Sequence, residues 1–254
     1  MADEVKIVTV SAENLDQEGF FCYKSKRKAL GYHRKQEWLR QRFAEGMRIR
    51  ILYEHARSVA FIEYTPGEYA WRPVNAAGYM FIHCLWTVGR AKRKGYATRL
   101  LTVCIEDARE QGMRGVATVT STRSWLTGPK WFLAQGFESV DKAPPTFDLL
   151  VRRFDNWPAP SFPRNWEERC TAFGDGLTVV RADQCPYIDA ATRAVVEAGN
   201  DVAVPVRVVE LTSAVQVQQS APSAYGVFSI VYNGELLSYY LPRDLRARLA
   251  QSQG

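Results

Sequence analysis

The sequence predicts an α/β protein in which a mixed β-sheet flanked by helices is followed by a second, smaller α/β domain. Three observations lead there. Apolar runs of strand length alternate with segments of helical periodicity through most of the chain. The strongest such pair, residues 79–88 and 96–110, is joined by a basic turn that contains glycine. A proline-rich stretch at 155–176 then interrupts the patterning before it resumes.

Residues 5–10 alternate apolar and polar, as a half-buried strand does. Residues 31–45 carry Trp38, Leu39 and Phe43 at helical spacing among strong helix formers. Two β-like runs, 47–53 and 59–64, flank the polar segment 54–58 and read as a hairpin. The next segment, 65–78, is turn-rich and dense in aromatic and charged groups, and is placed as a loop over a site. Residues 79–88 are a continuous apolar run with aromatic and β-branched members, the pattern of a buried strand. Beyond the turn, Leu100, Leu101, Val103, Cys104, Ile105 and Ala108 recur at three- and four-residue steps, and Gly112 stops the helix. A strand over 116–120, a helix from Pro129 and a strand over 147–154 complete a β-α-β-β-loop-β-α-β-α-β order for a domain at 1–154.

Residues 155–176 have the composition of a stiff linker or wrapping segment, with three prolines between 158 and 163, and two tryptophans that argue for packing. A second domain at 177–254 follows. Its strands are 177–181, 204–211, 225–232 and 235–241, the last two closing on Asn233-Gly234, a two-residue hairpin turn. Its helices are 186–198, with proline in the first turn, and 243–251.

With 254 residues, 46% hydrophobic and 12% aromatic, the chain can bury substantial cores. No apolar run nears the ~20 residues that span a bilayer, and the first residues lack the charged-then-apolar pattern of a signal peptide, so no membrane partner and a cytoplasmic location are expected. Cys22, Cys84, Cys104, Cys170 and Cys185 are odd in number and form no Cys-x-x-Cys pair. That indicates free thiols, with neither a disulfide framework nor a metal site. The net charge of +6 is uneven: eleven Lys/Arg face three Glu between Phe20 and Ala60, and no lysine follows Lys142. A cofactor with three phosphates makes the same demand as nucleic acid, and the interleaved aromatic platforms of a single-strand binder are not apparent. A nucleic-acid partner is therefore not expected.

The turn Lys92-Arg-Lys-Gly-Tyr-Ala-Thr98 aims free N–H groups of a helix start, the positive end of the macrodipole and several cations at one spot, which suits a phosphate. Lys92-x-x-Gly95-x-Ala97 resembles the pyrophosphate-binding motif of the GNAT superfamily of N-acetyltransferases, Arg/Gln-x-x-Gly-x-Gly/Ala, with lysine in the first place. Residues 129–138, Pro-Lys-Trp-Phe-Leu-Ala-Gln-Gly-Phe-Glu, resemble that superfamily's later helix and its Gly-Phe-Glu. Over essentially its full length the chain is similar to the YoaP-type acetyltransferases, through residues 61–72, 82–86, 94–97 and the Cys185-Pro-Tyr segment. The resemblance implies a GNAT mixed sheet followed by a small thioredoxin-like α/β domain, with acetyl-CoA as co-substrate and a small-molecule or peptide amine as acceptor. A homodimer is compatible with it. It assigns Trp86, Thr87 and Val88 as main-chain donors, Lys92, Arg93, Lys94, Gly95, Tyr96, Ala97 and Thr98 to the diphosphate, and Phe132 to the place where many members carry a tyrosine acid. In the second domain, Cys185-Pro-Tyr-Ile188 stands where such folds carry Cys-x-x-Cys, with isoleucine for the second cysteine, and Pro222 is the candidate for their cis-proline.

Acetyl transfer to an amine needs a base, an N–H donor to the thioester oxygen and a route for the leaving thiolate's proton. Glu63, Glu68 and His83 are the candidate bases. Phe132 has no proton to give, which leaves Tyr96, water or an unprotonated departure. Carboxylates beside the aromatic walls of the segment containing Tyr69, Trp71 and Arg72 suit a cationic acceptor, and Cys185 is taken as a further contact. Cys84 beside His83 reads as a buried thiol before it reads as a nucleophile. Two other functions fit the same residues: acyl-CoA binding without turnover, and monothiol chemistry through Cys185.

Overall fold

The computed structural model describes residues 5–123 and 126–251. The chain forms two compact units. One takes in the residues up to Arg27, Gln36–Ala70 and Val74–Phe162; the other takes in Lys28–Lys35, Trp71–Pro73 and the residues from Pro163 on.

The first unit follows the order β1 (Val5–Val10), α1 (Leu15–Glu18), α2 (Leu30–Phe43, counted with the second unit up to Lys35), β2 (Arg48–Glu54), β3 (Arg57–Pro66), β4 (Met80–Thr87), α3 (Tyr96–Glu110), β5 (Gly115–Ser121), α4 (Pro129–Leu133), β6 (Glu138–Ala143) and β7 (Phe147–Arg153). Its seven strands lie in the order β1-β2-β3-β4-β5-β7-β6. The β4–β5 pair is parallel, because α3 crosses over between the two strands, and the other pairs are antiparallel. The apolar stripe of α3, Leu100, Leu101, Cys104, Ile105 and Ala108, is buried against Leu52, Ile62, Tyr64, Ile82 and Leu85 of the sheet. Within this core the Tyr64 hydroxyl donates to Asp107 and accepts from Arg50 Nε at 3.1 Å, while Arg50 also holds Asp107 at 2.6 Å, so these three groups satisfy one another. The β2–β3 hairpin is tighter than expected. Glu54 pairs directly with Arg57, and His55 takes a left-handed conformation with φ 54°. Strand β6 has no counterpart in the predicted order. It is an edge strand of sequence ESVDKA, mostly exposed or half-buried, and so shows no apolar period.

The second unit continues with α5 (Trp166–Thr171), β8 (Leu177–Arg181), α6 (Ile188–Asp201), β9 (Val206–Glu210), α7 (Ala214–Ser220), β10 (Phe228–Tyr232), β11 (Glu235–Ser238) and α8 (Leu245–Gln251). Its sheet runs β11-β10-β8-β9, with β8 and β9 parallel and β10 antiparallel to both β8 and β11. Asn233 and Gly234 are both left-handed, as their hairpin turn requires. Two short helices are additions to the predicted order. Helix α5 lies inside the stretch read as a linker, with Arg169 and Cys170 buried, and α7 begins at Ser213, whose hydroxyl accepts from Gln216 N at 3.2 Å. The peptide bond before Pro222 is trans; among the described residues the cis bond is Pro144–Pro145. None of the described helices is long and apolar enough to cross a membrane.

The early segments counted with this unit are fitted closely into it. A Cβ on Gly31 would stand 2.2 Å from the Pro186 carbonyl oxygen, so only glycine lets α2 approach the turn before α6. Arg34 pairs with Asp183, Asp189 and Glu210, at 3.8, 3.8 and 3.1 Å. Arg72 stacks 5.1 Å over the Tyr225 ring and donates to Gln184 Oε1 at 3.4 Å.

Candidate functional site

Strand β4 ends at Thr87 and the chain reaches α3 through residues 88–95. Two residues of that turn, Arg93 (φ 66°) and Gly95 (φ 77°), are left-handed. Gly95 is the N-cap of α3 and makes no side-chain cap, and the first intrahelical bond runs from Arg99 N to Gly95 O. The N–H groups of Tyr96, Ala97 and Thr98 are thus the orphan donors of a helix start. Apart from its chain neighbours, no atom of the described residues lies within 4 Å of where a Gly95 Cβ would stand, so conformation rather than crowding selects glycine there.

A cavity of about 580 Å³ opens over these donors. Trp86 and Thr87 of β4, Lys92 and Arg93 of the turn, and Gly95, Tyr96, Ala97 and Thr98 at the helix start all line it. The Lys92 Nζ lies 5.9 Å from the centre of the Trp86 ring, within cation–π range. Three residues expected at the cofactor are not among the lining residues. Lys94 is turned to Glu54, 2.6 Å away, and the Tyr96 hydroxyl donates to the same carboxylate. The Lys94 bond, with Tyr96 second, holds the Glu54 carboxyl below its ordinary range. Phe132 is buried in the core, with its ring 5.0 Å from Trp131 and 5.2 Å from Phe137. Val88 is the third. Leu85, Ala91, Leu126, Thr127 and Trp131 also line the cavity and were not singled out in the sequence. Of these, Leu85 could have been found from strand alternation, which places it two residues before Thr87.

Strands β4 and β5 pair only over Met80–Ile82 and Val116–Thr118. Beyond that point β4 continues to Thr87 and β5 to Ser121, so the edges they would share are open. Main-chain direction on β4 follows from its other neighbour. The N–H of Val88 is taken by Val59 O at 2.9 Å, and Trp86 stands opposite Phe61 and Thr87 opposite Ala60. Because hydrogen bonding alternates along an antiparallel pair, the Trp86 N–H also turns toward β3, and those of Leu85 and Thr87 turn toward the opening. The Leu85 carbonyl, on that same side, accepts from Thr127 Oγ1 at 2.9 Å. Of the three expected donors, Thr87 is the one directed at the cavity.

The face of the sheet away from α3 carries the acid–base candidates. Glu63 stands opposite Cys84 and Tyr64 opposite Ile82, which leaves His83 as the extra residue of a β-bulge. The bulge re-aims its side chain, and His83 Nδ1 lies 3.5 Å from Glu63 Oε1 with both residues buried. Cys84 is partly buried. Phe61, two residues before Glu63 on the same face, stacks on Phe21 with ring centres 4.6 Å apart. Phe21 and Tyr23 are themselves left-handed, unusual for aromatic residues. Glu68 has a different place: it is exposed, and its Oε1 accepts from Gly78 N at 2.8 Å, bracing the loop in which Tyr69 is also exposed. Trp71, Arg72 and Cys185 belong to the second unit, where Trp71 and Arg72 are buried and Cys185 is partly buried in the turn before α6. No His, Cys, Asp and Glu cluster among the described residues could hold a metal ion.

Residues 12–125 match the model of the acetyltransferase (GNAT) family. Over 237 residues the chain is 29% identical to YoaP of Bacillus subtilis (strain 168), named an uncharacterized N-acetyltransferase, across 91% of this chain and 92% of that one. Among solved structures, it is similar to an acetyltransferase from Thermus thermophilus, with 18% identity, a TM-score of 0.44 and coverage of 59% of this chain and 97% of the other. It is also similar to the GNAT family N-acetyltransferase YhbS of Escherichia coli, solved in complex with CoA, with 13% identity, a TM-score of 0.43 and coverage of 64% and 92%.

Proposed function

We propose, on the premise that residues 12–125 form a GNAT acetyltransferase domain, that the protein is an acetyl-CoA-dependent N-acetyltransferase. It acts on an amine of a small molecule or a protein, by direct transfer with donor and acceptor bound together. One observation carries this reading: a cationic turn and an uncapped helix start line a cavity that meets the open edge of β4.

Acetyl-CoA supplies the acetyl group as a thioester. The N–H groups of Tyr96, Ala97 and Thr98, with Lys92 and Arg93, hold its diphosphate. The main-chain N–H of Thr87 is aimed to donate to oxygen as negative charge develops on it. Glu63 Oε1 lies 3.5 Å from His83 Nδ1, and this buried pair is the candidate for the base that takes the proton of the attacking amine. Glu68 is left out of the chemistry, because its carboxylate closes the Gly78 turn. Phe132 can give no proton to the leaving sulfur, and none is required, since a thiol of pKa about 8.5 departs as thiolate near neutral pH. The cysteines are thiols rather than disulfides, which favours a reducing compartment, the cytoplasm. The β8-α6-β9-α7-β10-β11-α8 order of the second unit suits a thioredoxin-like fold, for which we propose a role other than dithiol exchange, because Ile188 replaces the resolving cysteine.

The test is full-length protein offered acetyl-CoA with a panel of amines and a metabolite extract, following thiol release and product masses. Acetylated products with stoichiometric free CoA are expected. Binding of CoA with no turnover on any amine would favour the binding-module alternative, and absence of CoA binding would end the acyl-CoA reading.

A further inference from the structure

Thr87 closes strand β4 opposite Ala60, and its side chain falls on the face it shares with Leu85, beneath α3. The surroundings there are apolar, with Ala60, Leu85 and Ala91 all buried. The hydroxyl oxygen of Thr87 is itself buried and has no hydrogen-bond partner among the described residues. A hydroxyl held this way is unfavourable, and valine has the same shape, the same β-branching and no such penalty. Two other hydroxyls at this cavity are spent within the protein, Tyr96 donating to Glu54 and Thr127 to the Leu85 carbonyl, and Thr98 is exposed to solvent. Thr87 lines the same cavity as the α3 donors and the Lys92 and Arg93 cations.

From this we infer that the Thr87 hydroxyl donates a hydrogen bond to an oxygen of the phosphopantetheine portion of bound acyl-CoA, an assignment that rests on the acyl-CoA reading above. It is separate from the main-chain N–H of the same residue, which points in the sheet plane toward β5, whereas the side chain stands off the sheet. The hydroxyl contributes to ligand affinity at the expense of the free protein's stability.

Calorimetric titration of CoA and of ADP into wild type, Thr87→Val and Thr87→Ser, with thermal unfolding of each ligand-free protein, tests this. Thr87→Val should bind CoA roughly tenfold more weakly while unfolding at the same or a higher temperature. Thr87→Ser, which keeps the hydroxyl, should stay within about threefold of wild type. An equal loss for ADP assigns the partner to the diphosphate, and a loss for CoA alone assigns it to the pantetheine arm; either supports the inference. If Thr87→Val does not fold, comparison of Thr87→Ala with Thr87→Ser reads the same hydroxyl. Wild-type CoA affinity in a folded variant without the hydroxyl overturns the assignment and leaves the acyl-CoA reading standing. A wild-type protein that binds no CoA overturns both.

Discussion

His83 Nδ1 faces Glu63 Oε1 across 3.5 Å only because β4 bulges at His83. In a regular ladder the residue beside Cys84 would point to the other side of the sheet, away from Glu63. The proposed base and its orienting acid are therefore a property of register as much as of residue type. Replacing His83 by glutamine should lower kcat by about a hundredfold or more with CoA affinity retained. Glu63→Gln should cost less. It also removes the carboxylate that faces Nδ1, so the pH–rate profile should change. Profiles that coincide in Glu63→Gln and wild type would remove Glu63 from the proton path.

Gly95 makes a second prediction, because two effects there can be separated. Its φ of 77° disfavours any residue with a Cβ, while the space around that Cβ is open. Gly95→Ala should lose only about 1–2 kcal/mol of stability, the ordinary cost of a left-handed L-residue. CoA affinity should fall much further, more than tenfold, since the Cβ would enter the space above the helix donors. Calorimetry on the folded variant decides; unchanged affinity would displace the diphosphate from this turn.

Much of this site was legible because its chemistry is contiguous. Lys92, Gly95 and Ala97 sit on one turn, and the stripe of α3 has a period that survives without any long-range information. The Glu63–His83 pair was legible only as residue types, since a bulge depends on how β3 registers with β4. Segment 65–78 read as one loop over one site, yet Trp71–Pro73 are counted with the second unit, through contacts with residues such as Gln184 and Tyr225 that lie far along the chain. Strand β6 escaped because edge strands bury too little to show a pattern, and α5 and α7 because six or seven residues hold barely two turns. The Ser213 cap of α7 was a readable signal that went unused.

Glu54 gives a prediction in pH. Its carboxyl is held below the ordinary range by its bond from Lys94, and then by Tyr96. A depressed carboxyl contributes stability that is present above its unfolded value, about 4.3, and is lost as pH falls through the folded value. Wild type should therefore unfold at a higher temperature than Glu54→Gln from pH 8 down to about 5. The gap should close on further acidification and narrow in high salt, because the Lys94 partner is exposed. A gap that persists unchanged below the folded pKa would mean that shape, not charge, ties β2 to the turn before α3.

Gly31 lies within α2, where replacement by alanine would ordinarily favour the helix by about 1 kcal/mol. Here the sign should reverse. A Cβ would stand 2.2 Å from the Pro186 carbonyl oxygen and 3.2 Å from Asp189 Cβ, and the first of these is backbone that cannot swing aside. Relief requires the turn before α6 to move, and with it the ion pairs that Arg34 makes to Asp183 and Asp189. Overpacking of this kind costs about 1–3 kcal/mol, which outweighs the helical gain. Gly31→Ala should thus lower the stability of the second unit. Denaturant unfolding read by hydrogen exchange should show faster opening of amides in α6 and β8, with those of β3, β4 and α3 little changed. Protection equal to wild type across α6 would show that the contact between Gly31 and Pro186 is looser than these distances require.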